Sequence, residues 1–388
     1  MKRNRDLLIV TRPDHALQIY DALLGQKRIT FRFLTFKVVP AWFKRLTGLK
    51  RSGAVSKHAV ISLRTTLVNL CKYSFRFAFA RKWSEENILT RKVRRMLSKS
   101  DYKIIHYWPL YCHKAVEAYA ASHPGTAAFA DVHMPNPIAI LKAMQPVYER
   151  YGIAADSTDL HAHAANTRRR LENAPAIMVP STYVADTFRP DFPDKTYHVV
   201  TYGITVTDRY RKEHKTAIRE FVYAGGSITL EKGCDLLCEY FARHPEYNLH
   251  LFGTSPAQQA FIFEPFRSCP NIRFHGHVAK SDLPERIRAY DAGIHLSRFD
   301  AYSLAVGEIL GTGLPTIVST STGIYDDIAA EGMGLGTELD MEQIDQAVRK
   351  MTDPEFYNRC VDNIDTYIRT KHRSFGEKML GFYSDILK

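Results

Sequence analysis

Two carboxylates near a predicted helix start have a spacing that suits ligand binding. Asp300 and Glu308 flank the point where a loop after a predicted strand leads into a helix near Ser303. Carboxylates placed in this way can hold two parts of one ligand, and the backbone N–H groups of Tyr302, Ser303 and Leu304 can bind a diphosphate. The alternative is an ordinary helix start with a solvated Asp and Glu, because acidic residues are common there.

A glycine pair and a lysine form a second candidate phosphate site. A predicted strand runs into Gly225 and Gly226, and Lys232 and Gly233 precede a predicted helix. Glycines allow a ligand to approach the backbone closely, and a lysine can neutralise phosphate charge. Two plain turns would explain the same residues.

Short apolar runs alternate with helix-like stretches along the chain, which predicts two doubly wound α/β domains with parallel sheets. The ligand cleft of such domains lies at the carboxyl ends of the strands. The polar stretch Thr205–Arg219 marks the boundary between residues 1–204 and residues 219–353, and residues 354–388 are predicted to be helices that can return to the first domain. The predicted strands are Leu7–Val10, Ile29–Phe36, Ile104–Tyr107, Ala127–Val132, Ala176–Pro180, His198–Tyr202, Glu220–Tyr223, Leu249–Phe252, Ile272–His275, Ala292–Leu296 and Pro315–Val318.

Five short segments follow one another in a fixed order in the second half of the chain. The segments are Gly226-Ser227 up to Glu231-Lys232-Gly233, Leu251-Phe252-Gly253, Phe274-His275-Gly276-His277-Val278, Asp300 up to Glu308, and Gly311-Thr312-Gly313-Leu314-Pro315. Their order and spacing, over residues 219–330, resemble those of the retaining family-4 glycosyltransferases (glycosyl transferases group 1) of the GT-B fold. The resemblance implies two Rossmann-like domains that face each other across a cleft, the first binding an acceptor and the second a nucleotide sugar.

The resemblance also implies a role for each matching position. Lys232 would bind the donor diphosphate and stabilise the departing nucleotide. Glu308 would hold the ribose hydroxyls, and Asp300 would contact the donor sugar. The backbone of Tyr302–Leu304 would meet the phosphates, and the loop from Gly276 to Val278 would border the base.

Two positions depart from the family pattern. Many relatives carry an arginine five residues before the lysine, where this chain has Ser227 beside Gly226. Arg298, just before the loop, is the candidate for supplying the missing diphosphate cation. Asp300 replaces the usual first glutamate and is shorter by one methylene, which can change the choice of donor.

The first domain matches the family less closely. His133 follows a predicted strand, and similar enzymes often place a histidine at this edge of the cleft, near the donor sugar. A structural histidine is the alternative. The first strand ends in Thr11-Arg12-Pro13-Asp14-His15, where the family often has a Gly-Gly loop. The acceptor side is therefore not predicted in detail.

No cofactor or metal is expected, only a nucleotide-sugar substrate such as a UDP-, GDP- or dTDP-sugar. Asp156, Asp159, His161 and His163 fit no standard metal-site spacing and are better explained as a helix surface. The chain has no Asp-x-Asp pair, no Walker P-loop and no GxGxxG motif, which argues against metal-dependent transferases of the other common fold and against ATP or NAD enzymes.

Residues 26–99 form a basic segment with 19 Lys/Arg and two acids, whereas the whole chain carries a net charge of +12. Aromatic residues such as Trp42 and Trp83 stand among the cations, which suits an anionic membrane surface. A solvated basic face over a core is the alternative. Nucleic acid is disfavoured, because no nucleic-acid-binding motif accompanies the charge.

We therefore expect a hexosyltransferase-like enzyme that moves a sugar to a hydroxyl acceptor with retention and without a metal. The family suggests a lipid-linked or polysaccharide acceptor in cell-surface glycan synthesis, such as that of lipopolysaccharide. The alternatives are a non-catalytic GT-B partner protein at the membrane and a GT-B sugar-nucleotide epimerase. The apolar run at Leu7–Val10 is too short for a signal peptide, so we expect a cytoplasmic protein, peripheral on the inner face of the membrane.

Overall fold

The computed structural model describes residues 3–11, 13–35, 90–154, 157–208 and 210–388, and shows two parallel β-sheets of six strands each. The first sheet has the order β2-β1-β3-β4-β5-β6, and the second has the order β12-β11-β10-β7-β8-β9. The strands are β1 Arg3–Thr11, β2 Phe31–Thr35, β3 Ser100–Tyr107, β4 Ala127–Asp131, β5 Ala176–Val179, β6 Thr196–Val199, β7 Glu220–Ser227, β8 Asn248–Thr254, β9 Ile272–Gly276, β10 Ala292–His295, β11 Thr316–Ser319 and β12 Gly334–Thr337.

In the described residues, helices connect most of the strands and cover both faces of each sheet, as parallel sheets require. They include α1 Pro13–Leu24, α2 Pro109–Ser122, α3 Pro137–Arg150, α4 Ser157–Leu171, α5 Thr182–Phe188, α6 Cys234–Arg243, α7 Ala260–Phe263, α8 Leu283–Ile287, α9 Leu304–Leu310, α10 Tyr325–Glu331, α11 Met341–Met351, α12 Pro354–Thr370 and α13 Phe375–Ile386. Residues 90–99, before β3, are also helical. In the described part of the chain, none of the helices is long and apolar enough to cross a membrane.

Each of the eleven predicted strands overlaps an observed one. The β6 prediction is displaced, because the strand runs over Thr196–Val199 and ends before Tyr202. Strand β12, Gly334–Thr337, was not predicted; it is short and has glycine at two of its four positions. A strand of this kind carries too little apolar or β-branched character to be recognised from pattern alone.

Alternating residues of the central strands supply the core on the two faces of each sheet. Leu8 and Val10 of β1 belong to one apolar cluster, whereas Leu7 and Ile9 belong to another on the opposite face. Burial on both faces explains the continuous apolar runs that identified these strands.

The C-terminal helices pack on different sheets. α12 contributes the buried Tyr357 and Val361 to the core of the second sheet. α13 begins with a capping box between Ser374 and Glu377, and its buried Tyr383 packs among the core residues of the first sheet. The basic segment 26–99 contains the long stretch 36–89, which lies outside the described residues, so its membrane role stays a prediction.

Candidate active site

A cavity of about 690 Å³ lies between the carboxyl ends of the two sheets. Its lining includes Asp131 at the end of β4 and His295 at the end of β10. Because strands of a doubly wound sheet point their carboxyl ends at the ligand crevice, this cavity is the candidate active site. Among the predicted site residues, His133, Lys232, Asp300, Tyr302, Ser303 and Leu304 line it.

Lys232 and Asp300 form an ion pair in the cavity wall. The ammonium Nζ of Lys232 donates to Oδ2 of Asp300 at 2.5 Å, and both side chains are largely buried. Burial alone would raise the pKa of Asp300. The nearby Lys232 and His295 lower this pKa by more than burial raises it, so it lies below its ordinary value. The wall therefore presents an ionised carboxylate and a lysine in direct contact.

The other oxygen of Asp300 organises the start of α9. Oδ1 accepts from the backbone N–H of Tyr302 at 3.2 Å and of Ser303 at 2.8 Å. Two of the backbone groups that the sequence analysis assigned to phosphate are thus already bonded to Asp300. The buried Tyr302 hydroxyl donates to Asp327 at 2.5 Å and accepts from the Gly203 N–H, which ties the loop to the connection between the domains.

Ser303 has two unusual properties for a residue in the cavity wall. Its φ of 64° lies in the left-handed region, which serine rarely adopts. Its buried Oγ has no hydrogen-bond partner among the described residues. A strained residue with an unsatisfied buried hydroxyl is typical of a ligand-binding position, because a ligand can supply the missing partner.

Glu308 lies one turn further along α9, where it meets the loop after β9. Its carboxylate accepts from Lys280 at 2.6 Å. Val278 of the same loop packs against an apolar cluster that includes Ile309 of α9. The structure thus brings Glu308 beside the Gly276–Val278 loop, although neither belongs to the lining of the cavity itself.

Gly226 and Ser227 end β7 near the cavity, which Gly225 lines. Gly226 adopts a φ of 72°, and β8 comes so close that a Cβ on Gly253 would lie 2.9 Å from the Gly226 carbonyl carbon. The Ser227 carbonyl accepts from the Tyr223 hydroxyl at 2.7 Å. The glycines therefore permit a tight strand end.

Arg298 does not serve the cavity as the sequence analysis expected. Its guanidinium is buried and forms a bidentate ion pair with the fully buried Asp235, at 2.7 and 2.8 Å, and it also donates to the Leu230 carbonyl. It is not among the lining residues. Because its donors are used beneath the loop, Arg298 supports the loop and does not replace the missing diphosphate cation.

His133 lies in the wall with both ring nitrogens engaged. Nε2 is 3.0 Å from Oδ2 of Asp131, and Nδ1 is 2.7 Å from the hydroxyl of Tyr202. Burial raises the pKa of Asp131, but His133 and His106 lower it more, so its pKa lies well below the ordinary value. An ionised carboxylate only accepts, so the proton of His133 lies on Nε2, and the hydroxyl of a bound ligand would compete with the Tyr202 hydroxyl for Nδ1.

A second, buried histidine that was not predicted contacts the same carboxylate. His106 on β3 places Nε2 at 2.8 Å from the same Asp131 oxygen and Nδ1 at 2.6 Å from the hydroxyl of Tyr383 on α13. A histidine inside the apolar run Ile104–Tyr107 was the available signal, because β3 leads directly to the cleft. The C-terminal helix is thereby connected to the cavity wall.

The turn that carries Lys232 requires a glycine at the next position. Gly233 has a φ of 64°, and a Cβ there would lie 1.8 Å from the carbonyl oxygen of Leu296. We expect Gly233→Ala to reduce the free energy of unfolding by about 3 kcal/mol or more, through left-handed strain plus steric overlap. Urea unfolding measures the loss.

Gly226→Ala is the matched control, because Gly226 has a similar φ but nothing within 4 Å of a Cβ. It should lose only the conformational cost of about 1–2 kcal/mol. Equal losses of unfolding free energy in the two variants would show that steric overlap with Leu296 is not the main cost of Gly233→Ala.

Residues 207–366 match the family described as glycosyl transferases group 1. Mannosylfructose-phosphate synthase of Agrobacterium fabrum is 30% identical over 122 residues. That region is 28% of this chain and 27% of the synthase, so the match spans about a quarter of the length of this relative.

Solved structures resemble the entire chain at low sequence identity. Sucrose-phosphate synthase from Thermosynechococcus elongatus has a TM-score of 0.65 and 14% identity, covering 100% of this chain and 99% of that chain. An E. coli trehalose-6-phosphate structure bound with UDP-2-fluoro glucose has a TM-score of 0.64 and 10% identity, covering 98% of each chain. At this identity, the likeness establishes the fold. Residues 207–366 therefore form a glycosyl transferases group 1 domain, within a two-domain α/β chain of the GT-B fold.

Proposed function

We propose that this protein is a family-4 glycosyltransferase that transfers a sugar from a nucleoside diphosphate sugar to a hydroxyl group of an acceptor. The observation that carries the proposal is the wall formed by Lys232, Asp300 and Ser303, which holds a cation, a carboxylate and an unsatisfied hydroxyl at one end of the interdomain cavity. A solved structure of the same fold binds UDP-2-fluoro glucose, which supports a nucleotide sugar as the ligand.

Lys232 stabilises the leaving nucleotide in this proposal. Cleavage of the bond between the sugar and the diphosphate places growing negative charge on the departing oxygen. A lysine in a partly buried wall stabilises that charge strongly, because little solvent reorganisation is needed. To reach the diphosphate, the ammonium must exchange at least part of its contact with Asp300, whose two backbone N–H bonds keep the carboxylate in place.

Asp300 and Glu308 orient the donor from two sides. The Asp300 carboxylate faces the cavity and can accept from sugar hydroxyls. Glu308 can accept from the ribose hydroxyls beside the Gly276–Val278 loop, provided that Lys280, an exposed residue, yields its contact. The Ser303 hydroxyl is placed to donate to a phosphate oxygen.

Retention at the anomeric carbon and transfer without a metal form part of the same proposal, on the resemblance of the 219–330 motifs. We also propose a lipid-linked or polysaccharide acceptor in cell-surface glycan synthesis, with the cytoplasmic membrane face approached through residues 26–99. Two alternatives give different results in a turnover assay. A sugar-nucleotide epimerase would convert the donor without any acceptor. A non-catalytic partner protein would not turn over any nucleotide sugar.

A thermal-shift screen with UDP, GDP, dTDP, CMP and their common sugars tests the proposal. A nucleotide that binds only the folded protein adds about 2.7 kcal/mol of stability at 100 times its Kd. We expect the nucleotides with one particular base to raise the midpoint of thermal unfolding clearly. Glu308→Ala should weaken the binding of that nucleotide about tenfold or more, because hydrogen bonds from the ribose to a charged group are lost.

Glu331→Ala is the matched control for this variant. Glu331 pairs with Lys371 at 2.7 Å, much as Glu308 pairs with Lys280, but it lies at the end of α10 and not on α9 beside the Gly276–Val278 loop. The control should bind the nucleotide as the unchanged protein does. No response to any nucleotide at millimolar concentration would contradict the proposal, as would an equal response in the Glu308→Ala variant.

A further inference from the structure

We propose that the acceptor carries an anionic group, a phosphate or a carboxylate, and that His163, Thr167 and Arg170 of α4 bind it. This inference deepens the proposed function, since it assigns the second reactant of the same cavity. We call these three residues the α4 stripe.

The α4 stripe faces the cavity as one surface. Its members are spaced by four and three residues, so they lie above one another on the same side of the helix. All three line the interdomain cavity. They belong to the first domain, whereas Lys232, Asp300 and Ser303 belong to the second. A ligand on the stripe would therefore face a donor held by the second domain.

The neighbouring arginines of α4 do not face the cavity. Arg168 donates to Asp191 at 3.4 Å, and Arg169 donates to Asn166 at 2.8 Å; neither lines the cavity. Arg170 is half-buried and is the only one of the three on the cavity side. The last turn of the helix thus directs a single guanidinium into the wall.

The charges around the stripe favour an anion. Among the described residues, two carboxylates line the cavity, and both are engaged: Asp300 by Lys232 and two backbone N–H groups, and Asp131 by His106 and His133. A guanidinium, a hydroxyl and an imidazole on one face supply the donors that phosphate and carboxylate groups accept from. Trp108 and Leu110 flank the cavity as apolar surface for the remainder of an acceptor.

Binding of defined probe pairs tests the inference, measured by calorimetry in the presence of the nucleotide identified by the thermal-shift screen. The comparison of glucose 6-phosphate with glucose tests whether the acceptor is a soluble sugar phosphate. The comparison of farnesyl diphosphate with farnesol, both in detergent micelles, tests whether the acceptor is a lipid-linked phosphate. We expect at least one charged probe to bind about tenfold or more tightly than its neutral partner, because a charged hydrogen bond in a partly buried site discriminates by that amount.

Arg170→Gln should abolish the preference for the charged probe, and Arg170→Lys should keep part of it, since a lysine retains charge without the planar fork. Arg168→Gln and Arg169→Gln are matched controls in the same helical turn and should keep the preference intact. Equal binding of charged and neutral probes, or a preference that survives Arg170→Gln, would overturn the inference. Failure of the nucleotide to bind at all would instead contradict the proposed function, so the two failures are distinguishable.

Discussion

Replacing Lys232 by alanine is expected to lower kcat for donor cleavage by about 10²–10³-fold, the usual cost of removing one group that stabilises developing negative charge. The ammonium lies in the cavity wall at 2.5 Å from Asp300, and the described lining residues that carry a formal positive charge are Lys232 and Arg170. Release of the nucleoside diphosphate from the donor measures the rate. Lys232→Arg should recover part of it, because the charge remains.

Lys371→Ala is the matched control for the lysine variant. Lys371 also pairs with a carboxylate, Glu331 at 2.7 Å, but it is exposed and away from the cavity. The control should keep the full rate. A loss of less than about tenfold in Lys232→Ala would rule out the proposed role, since a leaving-group contact of ordinary strength exceeds that value.

Replacing Asp235 by alanine is expected to destabilise the protein by about 3–5 kcal/mol, because Arg298 would be left as a buried charge without its partner. Asp235 is fully buried and receives two hydrogen bonds from Arg298, at 2.7 and 2.8 Å, and one from the Tyr151 hydroxyl at 3.1 Å. Arg298 immediately precedes the loop that carries Asp300. The variant should therefore lose nucleotide binding along with stability, and urea unfolding and calorimetry measure the two effects.

A double variant separates the cost of an unpaired charge from the loss of the ion pair. Asp235→Leu combined with Arg298→Met should be clearly more stable than Asp235→Ala, because no buried charge remains. Glu264→Gln removes the partner of Arg267 in an exposed pair and should cost less than about 1 kcal/mol. A double variant as unstable as the single one would show that the pair is needed for another reason.

Much of the second domain could be predicted from local pattern. Apolar runs located β7, β8, β9, β10 and β11, and the residues after β7 and β10 were recognised by their types and their distances from the strand ends. Ser303 was placed at the start of α9 for the same reason. Its left-handed backbone and unsatisfied hydroxyl could not be predicted, because they depend on the neighbouring chain.

Pairings between distant residues lay beyond the sequence. Arg298 was expected in the cavity, but Asp235, which lies 63 residues earlier, holds it beneath the loop. His106 and Tyr383 are separated by 277 residues and still share a buried hydrogen bond. Hydrophobic periodicity reports the environment of each residue within one element, so it contains no information about partners on other elements.

The sequence by itself determined the identity of the elements and which polar residues follow each strand, because these depend on nearest neighbours along the chain. Only the tertiary structure decided the strand order, which sets β10 directly beside β7 and β3 beside β4. That order brings Asp300 onto Lys232 and His106 onto Asp131. Strand order follows from the packing of both sheet faces and the closure of the domains, and those are properties of the complete fold.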